Sequence, residues 1–190
     1  MLVILIIFQP EIRDALERIG SESIHGLLSF SDRKKKKELY QTIIDNVVTS
    51  VKEMSADSTG ALIVLERTAA LTDIVGTGIT INADVKASLI RNLFFNKAPL
   101  HDGAVVISEG RIAAAGCFLP LTRRSDVDPD LGTRHRAAIG MSEISDAVVV
   151  VVSEETGSVS VAYDCMLIRN VSFDKLKALL SDLLLNSVSS

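Results

Sequence analysis

Residues 147–163 read AVVVVVSEETGSVSVAY. The first half is an unbroken run of β-branched side chains with no polar alternation. A strand wetted on one face would alternate, so this one is expected to be buried on both faces, inside a sheet covered on each side. Glu155-Thr156-Gly157 then reads as a turn, and residues 158–163 pair back as the second arm of a hairpin.

Downstream, Ser172 is placed to cap a last helix. Phe173, Leu176, Leu179, Leu180, Leu183 and Leu184 recur there at helical spacing. Upstream, Thr133 can cap a helix running to about Ser142. Before it, residues 120–132 form a charged loop with two prolines. Residues 104–108 and 111–119 read as strands joined at Glu109-Gly110, and Pro99 breaks regular structure just ahead of them. Asn82 or Asp84 can cap a helix carrying Val85, Leu89, Ile90 and Leu93. A loop with Gly76 and Gly78 precedes that helix, and GALIVLE (residues 60–66) reads as a buried strand. Leu39, Ile43, Ile44, Val47, Val48, Val51 and Met54 mark a long amphipathic helix before it. The expected fold is α/β in the broad sense (α+β): a mixed central sheet flanked by helices.

The chain of 190 residues suits one domain with an appendage. Residues 1–8, MLVILIIF, are uniformly apolar, but a membrane span needs about 20 residues. The run is either a strand or core helix, or the tail of a transmembrane helix whose start lies outside this chain. Residues 10–20 look like a short helix opened by Pro10 and ended by Gly20, and residues 21–31 like a linker. The main domain is expected over residues 32–190. Lys34–Lys37 form a solvated turn, able to touch anionic headgroups if a membrane lies near.

Apolar residues make up 47% of the chain and aromatics only 4%, so the core must be aliphatic. A formal net charge of −4 argues against nucleic acid as a partner. Cys117 and Cys165 sit in apolar stretches without a CxxC pairing, and are expected to be reduced, buried thiols. No phosphate-loop or dinucleotide fingerprint is present, and the Gly76-Thr77-Gly78 turn is too weak to count as one.

Two clusters can carry chemistry. His101-Asp102-Gly103 sets an imidazole and a carboxylate against the apolar run from residue 104. Gly103 lets backbone approach a ligand closely, and the two side chains could bind a divalent metal. The plainer alternative is an ordinary turn. The second cluster is LGTRHRAAIGMSE, residues 131–143. It crowds Arg134, His135 and Arg136 at a helix N-terminus, where cations are unfavourable unless an anion lands on them. A solvated arginine pair beside Asp126, Asp128 and Asp130 is the alternative. Ser153 and Glu154 add a hydroxyl and a carboxylate at a strand end, or simply build a polar turn. A metal-carboxylate site beside arginines is the inventory for phosphoryl or nucleotidyl transfer.

PLHDGAVVI (residues 99–107) with LGTRHRAAIGMSE resembles the paired DGA and RHR motifs of the diadenylate cyclase domain. The segments FQPEIRDALERIG, GALIVLER, AAAGCFLPL and VVVSEETGSVSVAYD fit the membrane-anchored bacterial type, over roughly residues 8–170. The resemblance implies the condensation of two ATP into cyclic di-AMP with release of pyrophosphate. It implies that Asp102 assists the ribose 3′-hydroxyl, with Gly103 at the nucleotide and Arg134 and Arg136 on phosphate. Ala104, Leu119, Gly132, Thr133, His135, Ser153 and Glu154 complete the implied ATP contacts. Phe118 falls where a tyrosine is common beside adenine, so stacking would remain without the hydroxyl. A divalent metal (Mn2+, Mg2+ or Co2+) is implied on His101, Asp102 and Glu154. The family also implies a homodimer or higher homo-oligomer, a regulatory protein partner, and a membrane anchor ahead of a cytoplasmic domain. Two rivals remain at this point. One is a module that senses ATP or cyclic di-AMP without turnover. The other is a metal phosphohydrolase built on His101-Asp102.

Overall fold

The computed structural model describes residues 34–128 and 130–185. The chain divides into two compact units, residues 1–38 and 39–190. Of the first, residues 34–38 are described and are helical. The apolar run at residues 1–8, the expected helix at 10–20 and the linker at 21–31 lie outside the described residues. No helix among the described residues is long and apolar enough to cross a membrane.

The second unit is built on seven strands: β1 (Ala61–Leu65), β2 (Ile79–Asp84), β3 (Ala104–Ser108), β4 (Arg111–Cys117), β5 (Val148–Val152), β6 (Val159–Tyr163) and β7 (Met166–Ile168). Its helices are α1 (residues 39–56), α2 (Thr72–Val75), α3 (Ala87–Leu93), α4 (Thr133–Ile144) and α5 (Phe173–Leu185). The strands form one sheet in the order β2-β4-β3-β1-β5-β6-β7. Only β1 and β3 are parallel; the other neighbours run antiparallel. The sheet is mixed and helix-covered, as expected.

Every valine of β5 is buried. Alternate residues feed two separate cores, because successive side chains point to opposite faces. Val148, Val150 and Val152 join Ile63, Leu65, Val105 and Ile107 under α1, α3 and α5. Val149 and Val151 join Leu62, Val64 and Val106 under α4. Helix α5 presents Leu176, Leu180 and Leu184 as a buried stripe four residues apart. Each such leucine contributes about 1.5–3 kcal/mol of burial. The Ser172 hydroxyl accepts the Lys175 amide at 3.3 Å, the expected cap.

Five expectations are corrected. Asn82 and Asp84 do not cap a helix: they lie in β2, and α3 starts later, from Lys86. The residues ITINAD do alternate apolar and polar, but Asn82 and Asp84 are capping-type residues and point to a helix start instead. Strand β4 ends at Cys117 rather than 119. Thr133 is the first residue of α4, and the capping position is Gly132, which makes no side-chain cap. The short strand β7 was not anticipated, because the turn before it uses left-handed Asp164 and Cys165 (φ 47° and 61°) rather than glycine. That turn also leaves Cys165 exposed, whereas Cys117 is buried as expected. The hairpin at Glu109-Gly110 is present, with both residues at positive φ (50° and 80°).

Candidate active site

Because β1 and β3 are parallel and β5 runs against β1, three chain segments meet at one edge of the sheet. These are the starts of β1 and β3 and the end of β5. A cavity of about 680 Å³ opens there. Its walls bring together residues far apart in sequence. His101, Asp102 and Gly103 come from the turn before β3, Phe118 and Leu119 from the chain after β4. Gly132, Thr133, Arg134 and His135 come from the start of α4, Ser153 and Glu154 from the end of β5.

Gly103 is required where it stands. Its φ is +103°, and a Cβ there would lie 2.8 Å from the Cys117 carbonyl oxygen and 2.8 Å from the Gly116 carbonyl carbon. The turn is thereby pressed against β4, which holds Asp102 at the cavity. His101 is fixed by a 2.6 Å contact from Nδ1 to the Ala98 carbonyl. A carbonyl only accepts, so the bonded Nδ1 carries the proton, and it is Nε2 that offers a lone pair to a metal in the neutral ring.

At α4, no side chain caps the first turn and no acidic residue lies within it. Its leading amides and the positive end of the helix dipole are thus available to an anion. Arg134 Nη1 donates to Glu154 Oε2 at 2.5 Å, with the two side chains 22% and 63% exposed. An ion pair so open to water is worth about 1 kcal/mol or less. A guanidinium carries five N–H donors, so Arg134 can bond a phosphate oxygen while it stays beside Glu154.

The RHR triplet does not act as one patch. His135 is buried, with Nε2 3.2 Å from the Ser160 hydroxyl. Burial, then the Arg169 charge, pull its pKa below the usual 6.5, while Glu155 opposes them. It therefore lines the cavity as a neutral ring. Arg136 does not line the cavity; its Nε donates to the Leu131 carbonyl at 3.4 Å. Residues two apart on a helix point to nearly opposite sides, so Arg134 and Arg136 cannot share one cleft. Ala104 is fully buried in β3 and does not line the cavity either.

Phe118 is 71% exposed at the cavity, and its amide donates to the Thr77 hydroxyl at 3.0 Å. Thr77 belongs to the glycine turn that carried no signal in the sequence. The Ser153 hydroxyl accepts the amides of Glu155 and Thr156 at 3.3 and 3.4 Å, shaping the turn. Arg169 was missed altogether. It follows the unanticipated β7, lines the cavity, and pairs with Asp128 at 2.9 Å. Asp130 and Glu155 also line it, so four carboxylates, with Asp102 and Glu154, face two guanidinium groups. Among the described residues, no group of three or more His, Cys, Asp or Glu is placed to hold a metal ion.

The chain is similar to known proteins across this region. The family described as DisA bacterial checkpoint controller nucleotide-binding, DAC, matches residues 48–167. A cyclic di-AMP synthase, CdaA, of Bacillus subtilis is 42% identical over 179 residues, covering 94% of this chain and 64% of that protein. A diadenylate cyclase of Listeria monocytogenes is 41% identical over 183 residues, covering 96% of this chain and 66% of that protein. The chain thus spans just under two-thirds of the length of these relatives. Among solved structures, a double mutant of DacA from Staphylococcus aureus superposes with a TM-score of 0.73 at 42% identity, covering 74% of this chain and 94% of that one. A hypothetical membrane spanning protein from Bacillus cereus superposes at 0.66 with 38% identity, covering 90% of each. With the family match over more than half its length and a helix-covered mixed sheet in common with DacA, this chain belongs to the diadenylate cyclase (DAC) domain family.

Proposed function

We propose that the protein condenses two ATP molecules into cyclic di-AMP, releasing two pyrophosphates. One observation carries this reading. Asp102 and Gly103 share one cavity with Arg134, although 31 positions separate Gly103 from Arg134 in the chain. A carboxylate suited to a hydroxyl proton thus stands across from a guanidinium suited to phosphate. The names of the relatives, cyclic di-AMP synthase and diadenylate cyclase, support the same chemistry.

In each half-reaction a ribose 3′-oxygen bonds to the α-phosphorus of the other ATP. The bond from that phosphorus to pyrophosphate breaks, and the hydroxyl proton leaves. Asp102 accepts or guides that proton. Arg134 and the free amides of α4 hold the phosphates and stabilise charge as it shifts onto the leaving group. Phe118 offers an exposed ring face for the adenine. The cavity, at about 680 Å³, lies within the range of about 300–1,000 Å³ typical of one small ligand. One chain then cradles one ATP, and the second must be presented by another copy across a two-fold axis.

The donor set suits a divalent cation such as Mn2+, Mg2+ or Co2+. Carboxylates outnumber guanidinium groups on the cavity wall, so a triphosphate could not settle there without added positive charge. His101 Nε2, Asp102 and Glu154 line the cavity and are the residues from which it would draw its protein ligands, although the three are not gathered into one group. Too few protein ligands converge for a closed site, as is usual where phosphate oxygens and water complete the shell. When bound, the cation would neutralise phosphate charge and acidify the 3′-hydroxyl. Membrane attachment, through a transmembrane helix of which the apolar run at residues 1–8 would be the tail, belongs to the same proposal. The Bacillus cereus relative described as membrane spanning supports it.

The test is incubation with ATP and Mn2+, followed by chromatography. Cyclic di-AMP and pyrophosphate are expected. Unchanged ATP would make the protein a nucleotide-binding module, and ADP with phosphate would make it a phosphohydrolase.

A further inference from the structure

Gly60 precedes β1, and the pairing of Ala61 with Val152 sets it opposite the end of β5, where Ser153 and Glu154 follow. A Cβ at position 60 would lie 2.7 Å from Arg134 Nη1, 2.9 Å from Arg134 Cζ and 2.9 Å from Glu154 Cβ. Such approaches are too close to persist, so something would have to shift. The backbone of Gly60 is not among the positive-φ residues. Conformational freedom is therefore not what calls for glycine here; space is.

We propose that Gly60 is a positioning residue for Arg134. Its missing side chain leaves the gap in which the guanidinium lies against Glu154 at the nucleotide cavity. This rests on the assignment of Arg134 to nucleotide phosphate. Glu154 Cβ is attached directly to the backbone of the turn after β5 and yields little, whereas the guanidinium is the end of a flexible chain. A methyl group at position 60 would therefore expel the guanidinium first.

Calorimetry with α,β-methylene ATP and with adenosine on a mutant cycle tests this. Arg134→Ala should weaken the triphosphate analogue by about ten- to a hundredfold and leave adenosine nearly unchanged. Gly60→Ala should follow the same pattern, with a loss of about tenfold or more for the analogue only. In the Arg134→Ala background, Gly60→Ala should add less than about twofold, because its target is gone. Losses that multiply through would show that Gly60 acts elsewhere and would overturn the proposal. An intact response to Arg134→Ala with no response to Gly60→Ala would overturn it alone. No response to Arg134→Ala would remove the phosphate assignment on which it stands.

Because Glu154 Cβ is also crowded, Gly60→Ala should lower the thermal midpoint. The same substitution in an Arg134→Ala, Glu154→Gly background should lower it far less. Equal losses in both backgrounds, read even if the single variant binds nothing, would mean that these two side chains do not fill the space.

Discussion

If each chain supplies one ATP, a defective protomer should disable its partner's product. Asp102→Asn keeps the shape of the side chain but removes its charge. The residue is exposed in a turn, so the core is untouched. A mutant protomer still holds ATP through Arg134 but cannot activate that ATP's 3′-hydroxyl. A mixed dimer then makes one linkage and stalls at the linear pppApA. With equal amounts and random pairing, about half of the wild-type protomers face a mutant. Cyclic product per wild-type protomer should fall to about half, and to about a quarter at a threefold mutant excess. Chromatography follows both products while native mass spectrometry counts mixed dimers. If mixed dimers form and cyclic output per wild-type protomer stays level, the two-chain site is wrong.

Gly103→Ala should cost about 1–3 kcal/mol in chemical denaturation from its φ alone, with more from the clash against Cys117, whereas Gly132→Ala, with open space around it, should cost under about 1 kcal/mol. His135 has a folded pKa below its unfolded value, so below about pH 6.5 the unfolded chain binds the extra proton. Stability should therefore fall as pH drops from 6.5 through the folded pKa, and His135→Gln should flatten that slope in thermal melts from pH 5 to 7. A slope that persists in the variant would place the titrating group elsewhere. Iodoacetamide should label Cys165 alone in the native protein, because burial pushes the Cys117 thiol up to about 11, and both cysteines after unfolding, as read by mass spectrometry.

The elements legible in the sequence were those whose side chains face a core. β5 and α5 declared themselves because burial demands apolar residues at fixed spacing. β2 was missed although ITINAD alternates: it is a short edge strand with Ile79 59% exposed, and Asn82 and Asp84 read as helix caps rather than as partners of β4. Arg111 donates to the Asn82 side chain and carbonyl at 2.7 and 2.6 Å and to Asp84 at 2.6 Å, tying β4 to this edge. In the site, the two motif clusters did converge on one cavity. What the sequence could not show were contacts made across the sheet: Arg169 behind β7, Thr77 under Phe118, and the gap at Gly60. Arg136 is different. Its separation from Arg134 follows from helical geometry alone, because a two-residue step turns a side chain to nearly the opposite side of the helix.

The five valines of β5 also carry a hazard during synthesis. Until β1 and β6 flank it, this segment is β-branched, uncharged and free of proline, the composition that stacks into cross-β assemblies. In the folded sheet it is a central strand with no free edge. Before folding, only its neighbours protect it: Asp146 ahead and the Glu154-Glu155 pair behind act as charged gatekeepers against self-association. Neutralising Glu154 would therefore reduce soluble yield as well as alter the nucleotide site, and an inactive variant recovered from inclusion bodies would say nothing about catalysis.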